Sequence, residues 1–194
     1  RALLDGDAAL AERVLSRESQ VNDLERTVDR EAFRLIALHQ PVAGDLRMAK
    51  AVSRITVELE RAGDESKKIA KFAARLATGE PQGPVRAVAR YLRHMADLTT
   101  SMLRDAVRAF DEYDSAMAQS VARRDSELDA EFAAALRQLL TIAMQDQRFL
   151  GATIDTVFAL KGLERIGDHA KNIAEQVVFV ASGEDVRHRP KGVG

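Results

Sequence analysis

The chain has 194 residues, 46% of them apolar, enough to bury a core in one domain or in two small halves. Twenty-nine Lys and Arg nearly cancel thirty Asp and Glu, leaving a formal net charge of −1, so nothing demands a polyanionic partner such as nucleic acid. Cysteine is absent, which excludes disulfide frameworks and thiolate metal sites. No run approaches the roughly 20 apolar residues of a membrane-spanning helix and the N-terminus lacks an apolar signal core, so the expectation is a cytoplasmic protein without membrane insertion.

Ala, Leu, Arg and Glu dominate, with only four prolines, and the expected class is all-α. From Leu10, apolar residues at Val14, Val21, Leu24, Val28, Leu35 and Leu38 follow helical spacing, with interruptions at Arg17 and Glu31. His39-Gln40-Pro41 ends this helix, because proline disfavours helical geometry in the residue before it, and the next begins near Pro41. Its stripe runs through Val52, Ile55, Leu59, Ala62, Ser66, Ile69, Ala73 and Leu76 in steps of three and four, the pattern of bundle packing. Residues 80–84, rich in Pro and Gly, read as a linker between two halves. Val88, Leu92, Met95, Thr99, Met102, Ala106 and Phe110 mark a third helix, ending before Tyr113, with Asp114 or Ser115 as cap of the fourth. The fourth helix extends to about Gln147 and the fifth covers 150–181, leaving 184–194 as a flexible tail.

An internal repeat organises these elements. Leu59-Glu60-Arg61-Ala62-Gly63-Asp64-Glu65-Ser66-Lys67-Lys68-Ile69-Ala70 recurs 104 residues later as Leu163-Glu164-Arg165-Ile166-Gly167-Asp168-His169-Ala170-Lys171-Asn172-Ile173-Ala174, with eight of twelve positions identical. Upstream the offset becomes 107, so that Val14 meets Val121, Glu18 meets Asp125 and Asn22 meets Asp129. A helical repeat of about a hundred residues indicates a duplicated bundle rather than a solenoid of short units. The second half, 85–183, has three helices. The first, 1–79, shows two, with Arg1 to Asp5 matching only the end of the third helix, so its opening helix is absent from this chain and an apolar stripe is left for something else to cover.

Glu60 with Asp64, and Glu164 with Asp168, are four apart and project from one helix face, where they can share a cation. Glu18 with Asn22, and Asp125 with Asp129, offer repeat-equivalent partners on the preceding helices, and Glu25 and Asp29 extend the strip in the first half. Glu60, Asp64, Glu164 and Asp168 lie off their helices' own core seams and are expected to be solvent-accessible. Such all-oxygen sets suit hard or borderline cations. Acid pairs of this spacing also occur on plain solvated faces, but here both recur at equivalent positions. Gly63 and Gly167 recur too, at roughly 1 kcal/mol each against alanine, which points to close helix approach. Arg61 and Arg165 read as surface ion pairs. His39, His94, His169 and His188 read as structural or solvated, and no Glu-x-x-His occurs, which removes the usual di-iron oxidase arrangement.

At Leu59 to Asp64 and Leu163 to Asp168 the chain resembles the PhoU family, and Gln40 to Arg47 is similar to that family's interhelical turn. The resemblance implies two tandem three-helix bundles, with Glu/Asp-x-x-x-Asp motifs binding metal: iron, Mg, Mn or Zn. It also implies a non-enzymatic regulator, a homodimer that represses the phosphate-starvation response through contacts with a sensor histidine kinase and the ATPase of the phosphate ABC transporter. The chain departs from the family in its missing opening helix and in Asn22, where the second half has Asp129. A carboxylate-bundle metal enzyme or metal store, or a plain helical scaffold, are the rival classes.

Overall fold

The computed structural model describes residues 1–77 and 82–183, which are all-helical with no strand among them. The expected tail at 184–194 and part of the expected linker lie outside the described residues. In chain order the helices are α1 (Ala2–Asp5), α2 (Ala8–Leu15), α3 (Glu18–His39), α4 (Ala43–Ala77), α5 (Gly83–Ala87), α6 (Ala89–Asp111), α7 (Ser115–Gln145) and α8 (Leu150–Ser182), with a single 3-10 turn at Gln147–Phe149. The linker expected over 80–84 therefore ends earlier. Gly83 already opens α5, where Pro84 occupies the first turn, a position that needs no backbone donor.

Local chemistry explains most of the boundaries. Asp114 accepts a hydrogen bond from the Met117 backbone N–H at 2.9 Å and so caps α7, after Tyr113 turns the chain with φ of 54°. The same turn stands 107 residues earlier, where Gly6 has φ of 65° and Asp7 accepts from the Leu10 N–H at 2.8 Å to cap α2. Gln40, at φ of 45°, terminates α3. The single helix expected from Leu10 is interrupted at Ser16-Arg17, where the Ser16 hydroxyl donates to the Arg13 carbonyl at 3.0 Å. Its counterpart α7 is continuous through Arg124, which is anchored on α6 by Asp105 at 2.6 Å and Ser101 at 2.8 Å. Among the described residues no such helix stands beside Arg17.

Packing follows the duplication. In the second half α6, α7 and α8 form a three-helix bundle, and in the first half α1, α2 and α3 all pack on α4. The halves are joined along α4 and α8, the most extensive helix pairing in the protein. Leu3, Ala70, Ala73 and Leu76 share one apolar core with Val88, Leu92, Met95, Leu139 and Leu160, so the core crosses from one half to the other. A second core gathers Ile55 with Met102, Ala106, Val121, Ile173 and Val177.

The uncovered stripe expected in the first half is present. Leu24, Leu35 and Leu38 on α3 are 65%, 45% and 65% exposed. Between α3 and α4 lies an apolar groove of about 690 Å³, walled by Val28, Ala32, Leu35, Met48, Ala49 and Val52. The repeat-equivalent residues Ala135, Leu139, Ala152, Thr153 and Thr156 are buried, within a core that also takes in Val85, Val88 and Leu92 of α5 and α6. Nothing among the described residues takes that place in the first half.

Candidate functional site

The stripe on α4 turns Leu59 and Ala62 inward and therefore sets Glu60 and Asp64 toward α3. α8 presents Glu164 and Asp168 toward α7 in the same way. In the first half the four predicted residues come together: Glu18, Asn22, Glu60 and Asp64 wall one cavity of about 250 Å³ with Val21, Gly63 and Lys67. The expectation of solvent-accessible acids needs correction. Glu18, Asn22, Glu60, Asp64, Glu164 and Asp168 are half-buried between neighbouring helices, Asp125 is buried, and Asp129 alone is exposed. A face that lies off a helix's own core seam is here covered by the adjacent helix.

The electrostatics show how tightly the acids are crowded. Burial, then the negative charges of Asp64, Glu25 and Glu18, push the Glu60 carboxyl up. Asp168 is pushed up by burial and by Glu164 and Asp125. Two lysines offset part of this repulsion. Lys67 pairs with Glu18, whose other neighbour is the Asn22 amide at 3.4 Å, and the Lys67 hydrogen bond holds the Glu18 carboxyl below its ordinary range. Its repeat equivalent Lys171 pairs with Asp125 at 2.5 Å. Burial opposes the Lys171 charge, but the hydrogen bond and the charge of Asp125, with Glu175 and Asp168, outweigh it and raise its pKa. Lys161 holds Glu164 Oε1 at 2.6 Å, while Glu164 Oε2 is buried with no hydrogen-bond partner.

Sequence reasoning missed these lysines, although Lys67 and Lys171 stand at matching places in both copies, seven residues after Glu60 and Glu164 and so on the same helix face. Because the lysines draw Glu18, Asp125 and Glu164 into ion pairs, no group of three or more His, Asp or Glu among the described residues forms a ready coordination sphere. The donor chemistry nevertheless fits a hard cation: oxygen atoms only, with one buried carboxylate oxygen unpaired and two carboxyls pushed up by burial and by neighbouring negative charge.

Between the halves, α4 and α8 carry a second set of polar contacts. His169 Nδ1 lies 2.7 Å from Glu58 Oε2, which also accepts from the Asn172 amide at 3.1 Å. Burial raises the Glu58 carboxyl, but these hydrogen bonds and the charges of His169 and Arg61 leave it lowered. Arg165 reaches the buried Glu65 at 3.3 Å, and Arg61 lies 3.7 Å from Glu58. His169 is thus structural, as its sequence context indicated, and the two arginines form ion pairs, Arg165 across the helix crossing and Arg61 within α4.

The described residues make an all-helical protein of tandem bundles, each carrying a carboxylate-rich face between neighbouring helices. The PhoU domain profile matches residues 1–73 and again 92–177. A phosphate-specific transport system accessory protein PhoU homologue from Pseudomonas putida is 43% identical over 189 residues, covering 96% of this chain and 72% of the relative. The corresponding PhoU of Escherichia coli K12 is 34% identical, covering 96% and 76%. The crystal structure of PhoU from Pseudomonas aeruginosa superposes with a TM-score of 0.87 at 39% identity, covering 94% of this chain and 86% of that one. The phosphate transport system regulatory protein PhoU from Streptococcus pneumoniae gives a TM-score of 0.85 at 28% identity, covering 95% and 85%. The chain belongs to the PhoU family.

Proposed function

We propose that this protein is a non-enzymatic regulator of phosphate transport and phosphate signalling that binds metal on its two carboxylate faces. The carrying observation is the repetition, in both halves, of a carboxylate-rich set of four oxygen-bearing side chains together with a lysine counter-ion, in a chain whose relatives are named for phosphate-specific transport. In this reading it represses the phosphate-starvation response through a sensor histidine kinase and the ATPase of the phosphate ABC transporter. It acts as a cytoplasmic homodimer, its exposed α3 face being suited to a further helix or subunit. No described helix is long and apolar enough to cross a membrane; in this reading contact with membrane partners is peripheral.

Glu18, Asn22, Glu60 and Asp64 would hold one metal and Asp125, Asp129, Glu164 and Asp168 the other. Bound iron, Mg, Mn or Zn would supply positive charge that neutralises the acids and ties adjacent helices together. These residues orient the donors, and Lys67 and Lys171 hold Glu18 and Asp125 until a cation replaces them. Four carboxylates in the second half against three and an amide in the first favour tighter binding there.

The test is deletion of the gene, followed by complementation. Deletion is expected to raise alkaline phosphatase activity in phosphate-rich medium, and the intact gene to restore repression. A variant with Asp64→Ala and Asp168→Ala is expected to lose metal in calorimetric titration with Mn²⁺ and to complement poorly. Unchanged phosphatase activity on deletion sinks the regulatory reading. Absence of metal uptake by the intact protein, with full complementation by the double variant, leaves the faces as ordinary ion-paired surface.

A further inference from the structure

Helices α4 and α8 cross as repeat-equivalent partners, so each contact on one side of the crossing has a counterpart on the other at positions shifted by 104. On one side Phe72 and Phe158 stack, with ring centroids 5.8 Å apart and an interplanar angle of 13°. The counterpart positions are Gln176 and Arg54, and there the space is not filled. A cavity of about 490 Å³ opens instead, with Arg61, Asn172, Phe33 and Asp29 among its other walls. That size lies within the range of about 300 to 1,000 Å³ that small-molecule sites occupy.

The walls are short of partners on the side that would meet a ligand. Gln176 is only 6% exposed, yet its amide makes no hydrogen bond among the described residues. Arg54 makes no ion pair among them either. Glu58, which also lines the cavity, already serves His169, Asn172 and Arg61, so its charge is largely taken up. Gln176 and Arg54 both line space large enough for a molecule that would take up their donors.

We propose that this cavity binds a small phosphoryl-bearing metabolite of the nucleoside phosphate type. Arg54 and Arg61 take the anionic group, since guanidinium forks match phosphate oxygens, and Gln176 and Ser53 donate to it. Phe33, 69% exposed, offers a face on which a flat base stacks, and Asp29 accepts from its amino group. The preference for phosphoryl over carboxylate rests on the phosphate-signalling reading; the cavity itself does not.

The experiment is calorimetric and thermal-shift titration of the full chain, in chelator to keep the acid faces metal-free, with adenosine monophosphate, inorganic phosphate and citrate as probes. Saturable binding of adenosine monophosphate is expected, and it should weaken by about tenfold or more in Arg54→Phe/Gln176→Phe. That double variant rebuilds the aromatic stack of the other side, so its melting temperature should hold or rise while binding is lost. If it folds poorly, Arg54→Gln must show the same loss. Inorganic phosphate binding as tightly as the nucleotide supports the anion subsite and identifies free phosphate as the ligand. Binding of citrate alone overturns the phosphoryl assignment. No saturable binding by any probe, or binding retained in both variants, overturns the site. None of these outcomes bears on the deletion phenotype, so failure here and failure of the regulatory reading are separate results.

Discussion

Gly63 and Gly167 occupy the same position of the repeat but meet different surroundings. A Cβ on Gly167 would lie 2.2 Å from Leu128 Cδ2 in a fully buried layer, whereas one on Gly63 would meet Val21 Cγ1 at an ordinary 3.5 Å. Close approach, expected for both, therefore holds in the second half only. Gly167→Ala should destabilise by about 1 to 3 kcal/mol through overpacking, while Gly63→Ala should stabilise by up to about 1 kcal/mol through helix propensity. Urea unfolding of the two variants checks this, and equal shifts of one sign would refute it. The carboxylates give a second opposition. Asp168 is raised above its ordinary 3.8 by burial, Glu164 and Asp125, so its contribution to stability is complete below that value and lost as pH rises through the folded pKa. Without metal, Asp168→Asn should melt higher than the parent at pH 7, at about 2 to 4 °C per kcal/mol relieved, and the two should converge at low pH. With metal the order should reverse, because the same substitution removes a ligand. Lys171→Met should strengthen metal binding, since it frees Asp125 from its internal cation. A titration in which affinity falls instead would make the lysine a structural partner rather than a competitor.

At the scale of single elements, helix existence was legible from three-four spacing, and the misplacements have local causes. Apolar periodicity shows which face is buried but is blind to a hydroxyl that competes for a carbonyl, as Ser16 does at the α2–α3 break. Nor does it show that a face turned from one seam is covered by the next helix, which is why Glu60, Asp64, Glu164 and Asp168 read as exposed and are half-buried. The lysine pairs were readable in principle, because the repeat conserves both partners. The Glu58–His169 contact was not, since Gly162 stands at the repeat position of Glu58 and no pattern links residues 58 and 169. The repeated turn before α2 and α7 supplies an element-scale prediction. Gly6 takes the left-handed conformation without steric cost, whereas Tyr113, 60% exposed, adopts it with a Cβ. Tyr113→Gly should stabilise by about 0.5 to 1 kcal/mol. Asp114→Ala should cost about 1 kcal/mol by removing the cap of α7. Thermal melts of both variants read the two signs directly.

At the scale of the whole molecule, the two halves are of unequal order among the described residues. α7 buries Ala118, Val121, Asp125, Leu128, Ala135 and Leu139, whereas its counterpart α3, with α2 ahead of it, buries only Ala32 and Ala11. The difference is the helix α6, whose Met95, Met102 and Ala106 are fully buried in the bundle and which has no full counterpart over the first half among the described residues. Each large apolar side chain left in water forgoes roughly 1.5 to 3 kcal/mol, and Leu24, Leu35 and Leu38 are all in that state. Opening of α3 should therefore require less free energy than opening of α7, which is tied into the core that α8 shares with α4. Native-state hydrogen exchange of this chain should show amides of residues 24–38 exchanging well before those of 121–139, with α4 protected because it packs on α8. A cation bound between Glu18 and Glu60 would tie the first turn of α3 to α4, so metal should slow exchange near residues 18–22 and leave the distal end of α3 unchanged. Equal protection of α3 and α7 in the metal-free protein would show that the exposed groove is closed in solution, and the oligomeric state measured at the same concentration would then tell whether a second copy closes it.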